Sequence, residues 1–199
     1  MDMKIQPHSH IILASHNQGK LVEMQALLAP FQITVDSSYN LGLTEPIEDG
    51  ATFAENALIK ARSAAKESGQ IAISDDSGFC VEALDDAPGI YSARWAGEGR
   101  DFNIAMQRVH DELGDNPNKS AYFITVLAVV WPDGTEKTFE GRIMGKISWP
   151  PRGNKGFGYD PIFIPDGKNE TFAEITREDK QKISHRGQAF QLLIADLLD

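Results

Sequence analysis

Two adjacent carboxylates, Asp75 and Asp76, stand between Ser74 and Ser77 at the end of the apolar run Ile71-Ala72-Ile73, with Gly78 just beyond. Like charges this close are costly unless water, a cation or a shared proton compensates them. The pair is therefore either solvated in a turn or part of a Mg²⁺ or acid/base site. The apolar run reads as a buried strand, and side chains just past the carboxyl end of a strand in an α/β sheet point into the crevice where ligands bind. Asp, Ser and Gly are also ordinary turn formers. Three further segments favour the site.

Ser15-His16-Asn17-Gln18-Gly19-Lys20 reads as a strand-to-helix loop with a lysine at the helix start. Free amides at a helix N-terminus together with an ammonium suit a phosphate chain. A Walker A loop is excluded, because Ala14 and Leu21 stand where that motif needs Gly and Ser or Thr. In Gly153-Asn154-Lys155-Gly156-Phe157-Gly158-Tyr159-Asp160-Pro161 the glycines let the backbone approach a ligand, Phe157 and Tyr159 offer faces for a base, and Asp160 offers an acceptor. The same segment also reads as a flexible connection with its aromatics folded back on the core. In Ser184-His185-Arg186-Gly187, an N-cap serine would put two cationic side chains in a first helical turn, against the macrodipole. Together with Lys180 they suit an anion or a carbonyl oxygen. Glu48 lies in a loop before a helix and offers a further metal oxygen.

The elements that must position these residues alternate. Ile11 to Ala14 reads as a strand, and a helix runs from Lys20 until Pro30 stops it. Thr52 to Glu55 has capping-box form, and Phe53, Ala57, Ala61 and Ala64 give the following helix an apolar stripe up to Gly69. A strand over Ile71 to Ser74 follows. Asp101 caps a third helix that ends before Gly114. Tyr122 to Trp131 and Thr135 to Ile147 read as two long strands joined at Pro132-Asp133-Gly134, and a loop from Trp149 to Gly158 leads to a strand over Pro161 to Ile164. Ser184 caps the last helix. The pattern predicts an α/β fold: a mixed β-sheet flanked by helices, with two lobes and a cleft between them.

Composition bounds the function. A chain of 199 residues fits one domain, with room for two lobes, and buries a substantial core. A net charge of −10 argues against a protein that coats nucleic acid or a membrane surface. No apolar run approaches the ~20 residues that span a bilayer, and Met1 to His10 lacks the apolar stretch of a signal peptide, so a cytoplasmic protein is expected. The single cysteine, Cys80, fits a reducing compartment and reads as a buried thiol packing as a small hydrophobe.

Taken in order, these motifs resemble the inosine triphosphate pyrophosphatase family, Mg²⁺-dependent enzymes that act on ITP, dITP and XTP. The resemblance rests on Ser15-x-Asn17-x-x-Lys20, Thr52-Phe53-x-Glu55-Asn56-Ala57, Ser74-Asp75-Asp76-Ser77-Gly78, Pro88-Gly89-Ile90-Tyr91-Ser92-Ala93-Arg94, Gly156-Phe157-Gly158-Tyr159-Asp160-Pro161 and Ser184-His185-Arg186-Gly187. They extend from near residue 11 to the end. The resemblance implies an elongated mixed sheet whose two lobes enclose a nucleotide cleft, usually in a homodimer. It implies that Ser15, His16, Asn17, Gln18, Gly19 and Lys20 hold the triphosphate. Asp76 is then the metal-linked catalytic acid/base with Ser77 beside it, and Glu48 is the second metal ligand. Phe157, Gly158, Tyr159, Asp160, Lys180, His185 and Arg186 surround the nucleotide. His16 departs from the small residue more usual at its position. The expected reaction is release of pyrophosphate and a nucleoside monophosphate from a purine nucleoside triphosphate. Sequence alone does not decide whether Asp75 or Asp76 takes the proton, because coupled carboxylates titrate as a pair.

Two alternatives stand beside this. A Maf-like nucleotide pyrophosphatase lacks support because its Ser-Pro-Arg-Arg near the first loop is replaced by Ser15-His16-Asn17. A catalytically idle nucleotide sensor would have little use for the Asp75-Asp76 pair and Lys20.

Overall fold

The computed structural model describes residues 3–198. Its strands are β1 (His10–Leu13), β2 (Thr34–Ser37), β3 (Ile71–Val81), β4 (Pro88–Gly89), β5 (Ser120–Val130), β6 (Glu136–Ile147) and β7 (Phe163–Pro165). Its α-helices are α1 (Gln18–Leu28), α2 (Phe53–Ser68), α3 (Phe102–Leu113), α4 (Arg177–Ile183) and α5 (His185–Leu197). The strands form one mixed sheet in the order β2-β1-β3-β5-β6-β7, with β4 also on β3. Pairing is parallel for β1 with β2 and with β3, and antiparallel for β3 with β4 and β6 with β7. The α/β class expected from the sequence is the one found.

The chain divides into two compact units. The first comprises residues 3–76, 126–140 and 189–198. Alternation along its strands sends neighbours to opposite faces. Ile11 and Leu13 of β1 and Leu127 and Val129 of β5 pack with Leu21, Met24 and Leu28 of α1 and Phe190, Leu193 and Leu197 of α5. Ile12, Val126, Ala128 and Val130 face the other way, against Ala57, Ala61, Ala64 and Ala65 of α2. The alanine stripe lets α2 lie close on the sheet. Thr52 Oγ1 accepts from Glu55 N at 3.1 Å and Glu55 Oε2 from Ala51 N at 2.6 Å, so the expected capping box forms, shifted by one donor.

The second unit comprises residues 77–125 and 141–188. Its core is aromatic. Phe79 stacks on Tyr159 at 4.9 Å between centroids, and Phe123 and Phe172 meet Phe163 edge-on at 4.9 and 5.1 Å. Ala105, Met106, Val109 and Leu113 of α3 close this cluster. Trp95 packs against it with the Arg108 guanidinium 3.8 Å over its ring, whereas Tyr91 is exposed beneath Arg94.

Three boundaries differ from the sequence expectation, one being the strand expected over Pro161 to Ile164, which starts only at Phe163 because a 3-10 turn occupies Asp160–Ile162. β3 continues well beyond Ser74, so Asp75 and Asp76 lie inside a strand rather than past its end. Phe79, Cys80 and Val81 continue the burial, and Ser74, Asp75 and Ser77 find partners on other elements, which offsets the penalty that made the stretch look like a turn. Ser74 Oγ donates to Ala57 O and Ser77 Oγ lies 2.6 Å from Thr125 Oγ1. Helix α1 begins at Gln18 rather than Lys20, because Asn17 is the N-cap and its Oδ1 accepts from Gly19 N at 2.9 Å and Lys20 N at 3.3 Å. Those two first-turn amides are thus already engaged by Asn17 Oδ1.

Candidate active site

In the first unit β1 leads into the loop Ser15 to Asn17, and α1 then carries Lys20 toward β3. The Lys20 ammonium lies 2.8 and 2.9 Å from the two carboxylate oxygens of Asp75, a buried residue. Ser15 Oγ accepts from Asn17 N at 3.1 Å, which folds the loop ahead of the helix. Gln18 reaches Asn40 at 3.4 Å, and His16 Nδ1 lies 3.4 Å from Glu45 Oε2.

One residue further along β3, Asp76 shares a different cation. Lys60 Nζ is 3.0 Å from Glu48 Oε2 and 3.9 Å from Asp76 Oδ1. Asn56, one turn before Lys60 on α2, accepts from Gly50 N at 2.9 Å and hydrogen-bonds Asp76, tying the Glu48 loop to the strand. Burial pushes the Asp76 carboxyl up to about 6. Lys60 and the Asn56 hydrogen bond oppose that rise, while Glu48 and Asp75 add to it. Lys60 was missed in the sequence, where it is one lysine among many. The i, i+4 spacing from Asn56 in the quoted motif is the signal that places it on the same face of α2.

In the second unit, Asp160 is buried and its Oδ2 accepts from Phe157 N at 2.8 Å and Lys180 Nζ at 2.5 Å. Burial raises its carboxyl above the ordinary range, against the pull of Lys180. Asp160 therefore acts first as the clamp of the glycine loop. Gly156 has φ of +75°, and a Cβ there would run into the Asp160 carboxylate, so the turn requires glycine. Phe157 is 64% exposed, with Lys180 Nζ 5.0 Å and Arg186 Cζ 5.5 Å from its ring centroid. Tyr159, expected to offer a ring to the base, is instead 2% exposed, stacked on Phe79 and donating its hydroxyl to Ser92 O at 2.8 Å. Its packing on Phe79 and Phe102 holds it inward. His185 is buried with its ring 5.2 Å from that of Phe123. Ser184 caps α5 as expected, accepting from Gly187 N at 3.1 Å.

Among the described residues no group of three or more His, Cys, Asp and Glu is gathered to hold a metal. Glu48 and Asp76 nevertheless face one ammonium, and their hard oxygens fit Mg²⁺, which uses one or two carboxylates and completes its shell with water and substrate phosphates. Cys80 takes no part: burial pushes its thiol up to about 11.

The family model for the Ham1 family matches residues 11–196. The chain belongs to the Ham1 family. It is 56% identical over 191 residues to a protein of Zymomonas mobilis named dITP/XTP pyrophosphatase, covering 94% of this chain and 91% of that protein. A dITP/XTP pyrophosphatase of Gluconobacter oxydans is 51% identical over 199 residues, covering 100% of this chain and 96% of its own. A solved Ham1 protein from Coxiella burnetii superposes with a TM-score of 0.90 at 40% identity, covering 94% of this chain and 97% of that one. The Ham1 fold therefore accounts for nearly the whole chain.

Proposed function

We propose that this protein hydrolyses ITP, dITP and XTP to the monophosphate and pyrophosphate, with Mg²⁺ as its metal. The observation that carries this is the pair of carboxylates, Glu48 and Asp76, set about one cation in the same unit as the Lys20 loop. The names of the two relatives, at about half identity over nearly full length, support the substrate class.

Glu48 and Asp76 would hold the metal. When bound, Mg²⁺ supplies positive charge against the phosphate oxygens of the scissile bridge. Lys20, with Ser15, His16 and Gln18, receives the polyphosphate tail and stabilises the charge of the leaving pyrophosphate. Asp76 takes the proton of the attacking water. In the metal-free protein burial raises its carboxyl to about 6, so at neutral pH it is ionised and able to take the metal. Asp75 is committed to Lys20 by two contacts, which separates the roles of the adjacent acids. Phe157 offers its exposed face to the purine, and Arg186 and His185 donate to its 6-oxo group, where adenine presents an amino group instead. A donor facing a donor costs about 1–3 kcal/mol once desolvated.

The chain is further proposed to work as a single domain in a cytoplasmic homodimer, on the strength of the family resemblance. No helix among the described residues is long and apolar enough to cross a membrane. Assay of ITP, XTP, GTP and ATP with Mg²⁺, products separated by chromatography, tests the function. Preferred release of pyrophosphate from ITP and XTP supports it, and the absence of any hydrolysis would return the chain to a nucleotide sensor.

A further inference from the structure

The loop Ser15 to Gln18 is laced to the irregular segment that follows β2. Ser38 Oγ donates to Ser15 O at 3.4 Å, and Gln18 Nε2 donates to Asn40 Oδ1 at 3.4 Å. Between them the His16 ring stands edge-on to Tyr39, 5.5 Å between centroids, and its Nδ1 lies 3.4 Å from Glu45 Oε2. We propose that Glu45 is a built-in competitor for the polyphosphate tail: its carboxylate rests on His16 where a phosphate oxygen of the substrate takes over, so that binding displaces Glu45 and Glu45 helps to expel pyrophosphate.

Three observations carry this. The side chains of His16 and Glu45 are 35% and 63% exposed, so the contact is open to a solute and holds little of the fold together. Lys20 of the same loop follows the same pattern, resting on the Asp75 carboxylate at 2.8 and 2.9 Å. Both side chains that suit an anion therefore already hold an oxyanion from the chain itself. Tyr39 lies against the imidazole edge-on, 5.5 Å between centroids, on the same side of the loop. The polyphosphate brings several negative charges against the single charge of the carboxylate and wins the exchange, while a carboxylate waiting three residues from Glu48 reclaims the place when the product leaves. This role for Glu45 rests on the assignment of Ser15 to Lys20 to the polyphosphate.

Calorimetric titration of the full-length protein with inorganic pyrophosphate tests it. Glu45→Gln and Glu45→Ala are expected to tighten binding roughly two- to fivefold, the range an exposed ion pair spans, and to slow product release, lowering KM and kcat together. The gain must vanish when His16→Ala is added, since the competition runs through the imidazole. An equal gain in the His16→Ala background would mean general charge repulsion and overturn the proposal, as would no gain in either variant. Lys20→Ala serves as the separate check. If it abolishes pyrophosphate binding while Glu45→Gln changes nothing, only the competitor role falls. If it leaves pyrophosphate binding at the wild-type level, the assignment of the loop falls with it.

Discussion

The Lys60 ammonium lies 3.0 Å from Glu48 Oε2, in reach of the Asp76 carboxylate as well, so a lysine of α2 supplies the positive charge between the two acids assigned to the metal. Lys60 is the leading influence holding the Asp76 carboxyl down against burial. Lys60→Met should therefore raise the Asp76 pKa above about 6 and move the acid limb of the kcat/KM profile to higher pH. A limb at the wild-type position would remove Lys60 from the electrostatics of the site.

Asp76→Asn should cut turnover by roughly 10² or more, because it removes a metal oxygen and a base together. Rates with saturating ITP and Mg²⁺ provide the check, and near-normal turnover would move the role to Asp75 or Glu48.

The same variant should stabilise the metal-free fold at neutral pH. The folded-state carboxyl is raised from 3.8 to about 6, so Asp76 binds its proton more tightly in the folded protein. That contribution to stability is fully present below the ordinary pKa and is lost as pH rises through about 6. The Tm advantage of Asp76→Asn over wild type in chelator is thus expected to grow between pH 4 and pH 7. Added Mg²⁺ should raise the Tm of wild type more at neutral than at acid pH. A constant difference across that range would show that burial does not shift this carboxyl.

Asp160→Ala breaks a buried ion pair and frees the glycine loop. Loss of one partner of such a pair costs about 3–5 kcal/mol, read as a fall in the urea midpoint. Lys180→Met should cost less, because it leaves the loop amide of Phe157 on Asp160. Equal losses from the two would place the energy in the ion pair alone.

The architecture was legible where periodicity is strong. The α2 alanine stripe, the β5 and β6 hairpin, the Thr52 and Asp101 caps and the terminal helix all stand close to where spacing puts them. β2 and α4 escaped notice because Thr34–Ser37 is too short for alternation to register and Arg177–Ile183 buries no side chain, leaving no apolar stripe. β3 was cut short because Ser and Asp signal turns unless partners elsewhere satisfy them, and those partners are remote in sequence. Lys60 was silent for the same reason: its role comes from the face of α2 it shares with Asn56, toward Asp76. Tyr159 shows the reverse, an aromatic in a glycine loop whose direction only the packing on Phe79 decides.

The central claim is the bond that is cleaved and the base that is read. Incubation of dITP, XTP, GTP and ATP with the enzyme and Mg²⁺, with phosphorus NMR of the first products and kcat/KM for each, measures both. The account predicts pyrophosphate and monophosphate as first products, with dITP and XTP well ahead of ATP and GTP, and a reduced preference over ATP in Arg186→Ala. Orthophosphate with a diphosphate, or equal kcat/KM for dITP and ATP, would contradict it.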